Sequence, residues 1–269
     1  MTTTTTATAV AAPGRLGRAA NLLREVGLVF AREISPELRV PIGLIIGMLQ
    51  PLIFLVLFGP LLGGMPGLGD SHWQWFVPGI LVMIGLFGSG AAGYNVIVEA
   101  GGGSLERVLV TPVSRAAMLI GRTLKEGLIL LTQGVLITLV MAPFGLRLHP
   151  AGVTAGLALL VVVGIGIGSL SFALALAAKR TPSLFWAVQQ FAQFPLLLSS
   201  GVLLPVEAGP SWLAAVSRVN PITYVVEAER ALFAGDLTAP EVAYGALAAG
   251  AIAAVGLALG IRGMRRASL

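Results

Sequence analysis

Charge is what this chain has least of: 11% of its 269 residues are Asp, Glu, Lys or Arg, against about 25% in a soluble domain that must solvate its own surface. That shortage excludes an ordinary soluble enzyme and a charged, disordered tail. Cysteine is missing altogether, which excludes a small secreted module stapled by disulfides. Histidine occurs only at His72 and His149, and lysine only at Lys125 and Lys179. Apolar residues fill the space: 56% are hydrophobic, 35 are glycine, and the mean hydropathy is +0.92. The solvent for such a composition is a bilayer. A net charge of +5 and a pI near 10.4 would suit nucleic acid only if the basic residues gathered on one soluble face, so their positions along the chain decide.

Six apolar runs stand out, at 41–62, 76–98, 127–146, 152–178, 184–204 and 242–261. Roughly twenty helical residues, at about 1.5 Å each, cover a hydrocarbon core of about 30 Å. None of the runs contains Asp, Glu, Lys or Arg, each of which costs about 2.5–3.5 kcal/mol at mid-membrane. Stretches such as 157–168 do not alternate as barrel strands do. The expectation is an all-α integral membrane protein with six transmembrane helices. Fourteen of the 17 Lys and Arg residues fall in the N-terminal segment, the second and fourth loops and the tail, leaving Arg147, Arg218 and Arg230 for the other side. The positive-inside rule therefore puts both termini in the cytoplasm. Fifteen arginines against two lysines, with abundant Ala and Gly, point to a GC-rich bacterial genome and hence to a cell (inner) membrane.

Residues 1–14 are Thr-rich and uncharged and are expected to be disordered. Over 15–40, Leu16, Ala19, Ala20, Leu23, Val26, Phe30 and Ile34 recur at helical spacing, with Arg18, Arg24, Glu25 and Arg32 largely elsewhere. This predicts an amphipathic helix in the cytoplasmic interface; a solvated lead-in is the alternative. The first long apolar run begins only at residue 41, so no signal peptide is read here. The six spans occupy 41–261, and 262–269 form a basic cytoplasmic tail.

The loop between the second and third spans reads Glu99-Ala100-Gly101-Gly102-Gly103-Ser104, then Leu105-Glu106-Arg107-Val108-Leu109-Val110-Thr111-Pro112-Val113-Ser114-Arg115. Ser104 suits an N-cap, Glu106 the first turn, and Pro112 a stop. Leu105, Val108 and Leu109 make one apolar face. Such a helix fits a groove on another protein or packs back on its own bundle, and periodicity does not separate the two.

The stretch from Leu105 to Arg115 resembles the cytoplasmic signature of ABC-2 type permeases, the membrane subunits of ABC exporters. Asn220-Pro221-Ile222-Thr223-Tyr224, followed by Glu227-Ala228-Glu229-Arg230-Ala231-Leu232, is similar to that family's segment before the last span, in particular in daunorubicin-resistance-type drug-export permeases. Glu99 to Gly103 departs from the pattern, which carries a basic-acidic cluster and one glycine there. The resemblance implies a type V exporter-like fold: a half-transporter, working as a homodimer or heterodimer with two cytosolic ATPase subunits. It makes Leu105, Glu106, Arg107, Val108, Leu109, Thr111 and Pro112 a coupling helix, with the loop at 179–183 as a second contact. The residues support the same division of labour. Neither Lys125 nor Lys179 follows a phosphate-cradling Gly-rich loop, and no soluble stretch has room for a nucleotide domain. The chain is thus expected to be no enzyme and to bind no cofactor or metal, with ATP and Mg held by the partner.

A proton-driven carrier needs an intramembrane carboxylate or histidine, and the runs offer none; a sodium-coupled carrier is less firmly excluded. Gly88-Ser89-Gly90 and Gly168-Ser169 resemble the surroundings of a serine nucleophile, but no span supplies a base, so helix packing is the better account of them. Substrate crossing calls for polar or aromatic groups within the spans. The fifth span holds Trp186, Gln189, Gln190 and Gln193, with Gln189 and Gln193 on one face and Trp186 and Gln190 on a neighbouring one. Tyr94, Asn95 and Gln50 complete the expected substrate pathway. Interhelical hydrogen bonding is the alternative for each; the resemblance favours the pathway, since the second and fifth spans of such permeases line the dimer interface and cavity.

Gly152, Gly156, Gly164 and Gly168 suit close helix contact. Pro51, Pro78, Pro143 and Pro195 either bend helices for an alternating cavity or merely shape the bundle. The segment 205–240 is too long for a turn. Asn220 caps a helix opening at Pro221, and Gly235 ends it; Trp212 marks a second short helix. The two are expected to re-enter the outer leaflet as an extracellular gate built from Trp212, Asn220, Pro221 and Tyr224. Glu207, Glu227, Glu229 and Asp236 make the segment acidic, a solvated face or an attraction for a cationic drug. The function expected is export of a hydrophobic or amphipathic drug or natural product by alternating access. Lipid or glycan export by the same fold, an intramembrane protease and a membrane sensor remain as alternatives.

Overall fold

The computed structural model describes residues 15–40, 42–63, 71–102, 113–206 and 209–266, the side chains of 15–20 excepted. The expected disordered start at 1–14 and the expected coupling helix, from Leu105 to Pro112, lie outside the described residues. The described chain has no strand and forms α1 (Arg15–Arg39), α2 (Ile42–Leu62), α3 (His72–Ala91), α4 (Tyr94–Gly101), α5 (Arg115–Met141), a 3-10 turn (Ala142–Phe144), α6 (Pro150–Ala178), α7 (Pro182–Ser199), α8 (Ser211–Val219), α9 (Pro221–Phe233) and α10 (Pro240–Arg266). The fold is all-α and membrane-crossing. One end of the bundle gathers α1, α4 and the last turns of α6 and α10; we call it the basic end. The opposite end carries α8 and α9.

Five stretches are long and apolar enough to cross a bilayer: α2, α3 with α4, α5 with its 3-10 turn, α6 and α10. The expected count of six is therefore one more than qualify among the described residues, and the fifth run makes the difference. That run, placed at 184–204, forms α7 instead, which ends at Ser199. Its 18 residues reach about 27 Å, and Gln189, Gln190 and Gln193 make it too polar to qualify by composition. Two other boundaries move. The second run is interrupted at Ala92 and Gly93, between α3 and α4. Arg262, Arg265 and Arg266 belong to the end of α10 instead of a separate tail, because nothing in 262–266 breaks the helix.

The centre is α3. Phe76, Val77, Ile80, Leu81 and Val82 are completely buried, and 83% of its most apolar stretch is covered, against 17% for α2. Small residues bring α6 and α10 into backbone contact: a Cβ on Gly166 would lie 2.7 Å from the Ala253 nitrogen, so only glycine allows that approach. α2 stands at the periphery and leaves Ile45, Ile46, Leu49, Val56 and Leu57 exposed. The break after α3 is spliced from outside: the Ser171 hydroxyl on α6 donates to the Gly90 carbonyl and accepts from the Gly93 N–H at 2.9 Å. α1 is amphipathic, as expected, yet its inner face meets protein. Val26 is buried, and a Cβ on Gly121 of α5 would collide with Val29 at 2.7 Å.

Candidate functional site

At the basic end, α1 and α5 cross through a set of ions. Arg122 on α5 meets Glu99 of α4 at 2.6 Å and Glu33 of α1 at 3.3 Å. One turn further, Lys125 meets Glu126 at 2.8 Å and Glu37 of α1 at 3.8 Å. Glu33 and Glu37 are four residues apart and so share one face of α1, as Arg122 and Lys125 nearly do on α5. Both cations are buried. A buried ion is tolerable only when paired, and each of these meets two carboxylates.

The same cluster brackets the segment 103–112. On its entry side, Glu99 fixes α4 to Arg122. On its exit side, the Ser114 N–H donates to the Glu25 carboxylate at 2.9 Å, while the Ser114 hydroxyl caps α5 by accepting from the Ala117 N–H at 3.2 Å. The described residues on either side of the stretch holding Leu105, Glu106, Arg107, Val108, Leu109, Thr111 and Pro112 are therefore fastened, Glu99 to α5 and Ser114 to α1.

Behind the loosely packed α2 lies a cleft whose largely apolar wall carries several polar side chains. Its wider part, about 260 Å³, is lined among others by Glu37, Ser89, Asn95, Lys125, Glu126 and Gln133. An adjoining part of about 170 Å³ is lined by Gln50, Phe87, Gly88 and Gln133. Two of the expected pathway residues, Gln50 and Asn95, thus line connected parts of one cleft. The aromatic pair is elsewhere: Tyr94 lies 5.1 Å from Trp186 and 6.2 Å from Phe185, ring centre to ring centre, joining α4 to α7.

The glutamines divide. Gln189 and Gln193 are buried and cover Gly90 of α3, where a Cβ would meet both amides. Gln193 donates to the Leu86 carbonyl, a hydrogen bond between helices. Gln190 is exposed on a face shared with Phe191, Phe194 and Leu198. The described chain therefore separates Gln189 and Gln193 from Gln190 and from the cleft.

At the opposite end, Asn220 is buried and used at every polar atom. Its Oδ1 accepts from the Ile222 N–H at 2.9 Å, and its amide donates to the Leu196 carbonyl at 2.7 Å and the Ser199 hydroxyl at 3.0 Å. Pro221 opens α9 and Gly235, with φ +91°, follows its end, as the spacing predicted. Tyr224 donates to the Arg218 carbonyl at 2.7 Å, and Trp212 is exposed on α8. A cavity of about 220 Å³ between α8 and α9 includes Ser217, Arg218, Thr223, Tyr224 and Glu227 in its lining. Arg230 clamps α9 inward: it donates to the Trp75 carbonyl at 3.0 Å and the Gly201 carbonyl at 2.7 Å, with its guanidinium 3.7 Å from the Trp75 ring centre.

Glu229 corrects one sequence expectation. A solvated acidic face was expected here, but Glu229 is 0% exposed, and neither carboxyl oxygen has a hydrogen-bond partner. A Cβ on Gly156 of α6 would lie 2.5 Å from its carboxyl, so the missing side chain there makes its room. Burial alone pushes this carboxyl well above the ordinary glutamate range. The bundle therefore does contain a buried carboxylic acid, outside the spans and invisible to a search of the apolar runs. The ion set at the basic end was missed as well. Its one sequence signal was the four-residue spacing of Glu33 and Glu37; their partners lie 89 and 88 positions further along the chain.

The described chain is thus an all-helical, multi-pass membrane protein with a cleft at its basic end. The ABC-2 type transporter family model matches residues 24–234, and the chain belongs to that family. A "Putative transport permease ycf38" from Cyanophora paradoxa is 36% identical over 218 residues, covering 78% of this chain and 74% of that protein. Its namesake from Pyropia yezoensis is 27% identical over 221 residues, 79% and 75% of the two chains. The "Daunorubicin resistance ABC transporter permease protein DrrB1" of Streptomyces coeruleorubidus is 26% identical over 201 residues, 72% and 70% of the two chains.

Proposed function

We propose that this chain is the membrane half of an ATP-driven exporter, moving a hydrophobic or amphipathic drug or natural product outward by alternating access. The observation that carries this reading is the pair of contacts flanking residues 103–112, Glu99 with Arg122 before them and Ser114 with Glu25 after them. A helix there, fastened through Glu99 and Arg122 on one side and Glu25 and Ser114 on the other, would pass a push from an ATPase into α1 and α5 together. ATP and Mg belong to that partner, two ATPase chains serving a pair of permeases. The basic end then faces the cytoplasm of a bacterial cell, in agreement with the positive-inside rule. Gln50 and Asn95 line the route from that side, and α8 and α9, with Trp212, Asn220, Pro221 and Tyr224, close the outer end. A relative named for daunorubicin resistance supports a drug-like cargo.

Charge reversal at both Glu106 and Arg107 tests the proposal in vesicles containing the permease and its copurifying ATPase. Insertion and ATP hydrolysis are expected to persist while transport is lost. Full coupled transport in the double variant would overturn the assignment of this segment.

A further inference from the structure

The largest of the described cavities lies apart from the cleft of the transport reading and meets it only at Lys179, which opens the loop expected as a second ATPase contact. At the basic end, below the close contact at Gly166 and Gly256, α6 and α10 leave a space of about 530 Å³. Its floor is Ala173, Leu176, Ala177 and Leu259, with Gly263 at the base, and its rim is Lys179, Arg262 and Arg266. All the charge that lines it is positive. The three rim residues are exposed, and none forms an ion pair with a carboxylate among the described residues. Arg122 and Lys125, at the same end of the bundle, are both consumed by carboxylates. Orientation in the membrane asks only that cations lie on one side; it does not ask that three of them, from two helices, converge over one apolar floor.

We propose that this cleft binds an anionic glycerophospholipid of the adjacent leaflet. The rim stands where two spans leave the hydrocarbon, which is the depth of the lipid phosphates. Guanidinium groups grip a phosphate through paired N–H donors, and the ammonium adds a point charge. Leu176, Leu259 and the alanines receive the upper part of an acyl chain, which a free phosphate would leave uncovered. Basic recesses between spans hold anionic headgroups for these reasons. Small residues make the room: Ala173, Ala177 and Gly263 leave the space between the two helices unfilled.

The test uses spin-labelled phosphatidylglycerol and phosphatidylcholine in nanodiscs holding the full chain, reading the fraction of each label immobilised at the protein. The wild type is expected to prefer phosphatidylglycerol. Replacing Lys179, Arg262 and Arg266 by Gln together should reduce that preference roughly tenfold or more, the effect of removing three surface-proximal charges. A control triple, Arg18→Gln, Arg24→Gln and Arg39→Gln, removes the same net charge from α1 and should leave the preference in place. Leu259→Trp keeps every charge and fills the floor; it too should release the lipid. Equal loss in both triples, an unchanged preference in the rim triple, or full displacement by inorganic phosphate at matched ionic strength would each overturn the proposal. The readout involves no ATPase and no transport, so its failure leaves the exporter reading untouched.

Discussion

The two ends of the bundle handle buried charge in opposite ways. At the basic end, Arg122 and Lys125 each meet two carboxylates, and those pairs join α1, α4 and α5. At the opposite end, Glu229 is buried without a partner, while its neighbour Arg230 turns to two backbone carbonyls and the Trp75 ring. The difference teaches what each end is built to withstand. Buried cations are tolerable only while their pairs are kept, so α1, α4 and α5 are held together by contacts that are costly to break singly. A dry joint holding an uncharged, unsatisfied acid is the more sensitive of the two, because above pH 4.5 exposing Glu229 lets it ionise and so favours opening.

The comparison breaks most severely at Arg122. Arg122→Ala leaves Glu33 and Glu99 facing one another without their cation, and should cost roughly 3 kcal/mol, the low end for a broken buried pair because both acids keep some water. A large drop in melting temperature in detergent checks this; an unchanged melt would show that the network contributes nothing.

Glu229 should respond in the other direction. Glu229→Met removes an unsatisfied buried group and is expected to be neutral or stabilising by about 1–2 kcal/mol. The pH dependence has a definite sign. The folded state raises this carboxyl above its ordinary value of 4.5, so it holds the proton more tightly than the unfolded chain does. Its stabilising contribution is complete below 4.5 and is lost as pH rises from there toward the raised folded value. A melting series over pH should slope downward on that account, and Glu229→Gln should flatten the slope. A series that slopes identically in the variant would assign the dependence to other groups.

Two smaller effects sharpen the contrast. Arg230→Lys keeps the charge but loses the planar donors and the stacking, and should cost about 1 kcal/mol, read as faster proteolysis around α9. Gln193→Leu removes one interhelical hydrogen bond, roughly 0.6 kcal/mol. If the glutamine only joins helices, cargo range should be unchanged; an altered range would return Gln193 to the pathway.

How much of this was legible in the sequence varies by the range of the interaction. The α9 boundaries were readable because Asn220, Pro221 and Gly235 act within a few residues. Most of the spans were readable because an apolar run of twenty residues has few other uses. α7 was only half readable: its glutamines lower hydropathy, and only the position of Gly90 on another helix explains why two of them are inside. Glu229 misled for a related reason. Beside Glu227 and Arg230 it looks like part of a wet face, and what buries it is the bare backbone at Gly156, 73 residues earlier. The partners of Glu33 and Glu37 were equally out of reach, since nothing local marks which later helix will cross α1.

The splice at Ser171 has a consequence for where the shape of the second span is stored. A carbonyl and an N–H left bare in hydrocarbon cost several kcal/mol each, and a single hydroxyl on α6 covers both Gly90 and Gly93. The interruption between α3 and α4 is thus completed by another helix. A peptide of residues 72–101 alone in lipid should close into one uninterrupted helix, and the break at Ala92 and Gly93 should reappear only when α6 is supplied.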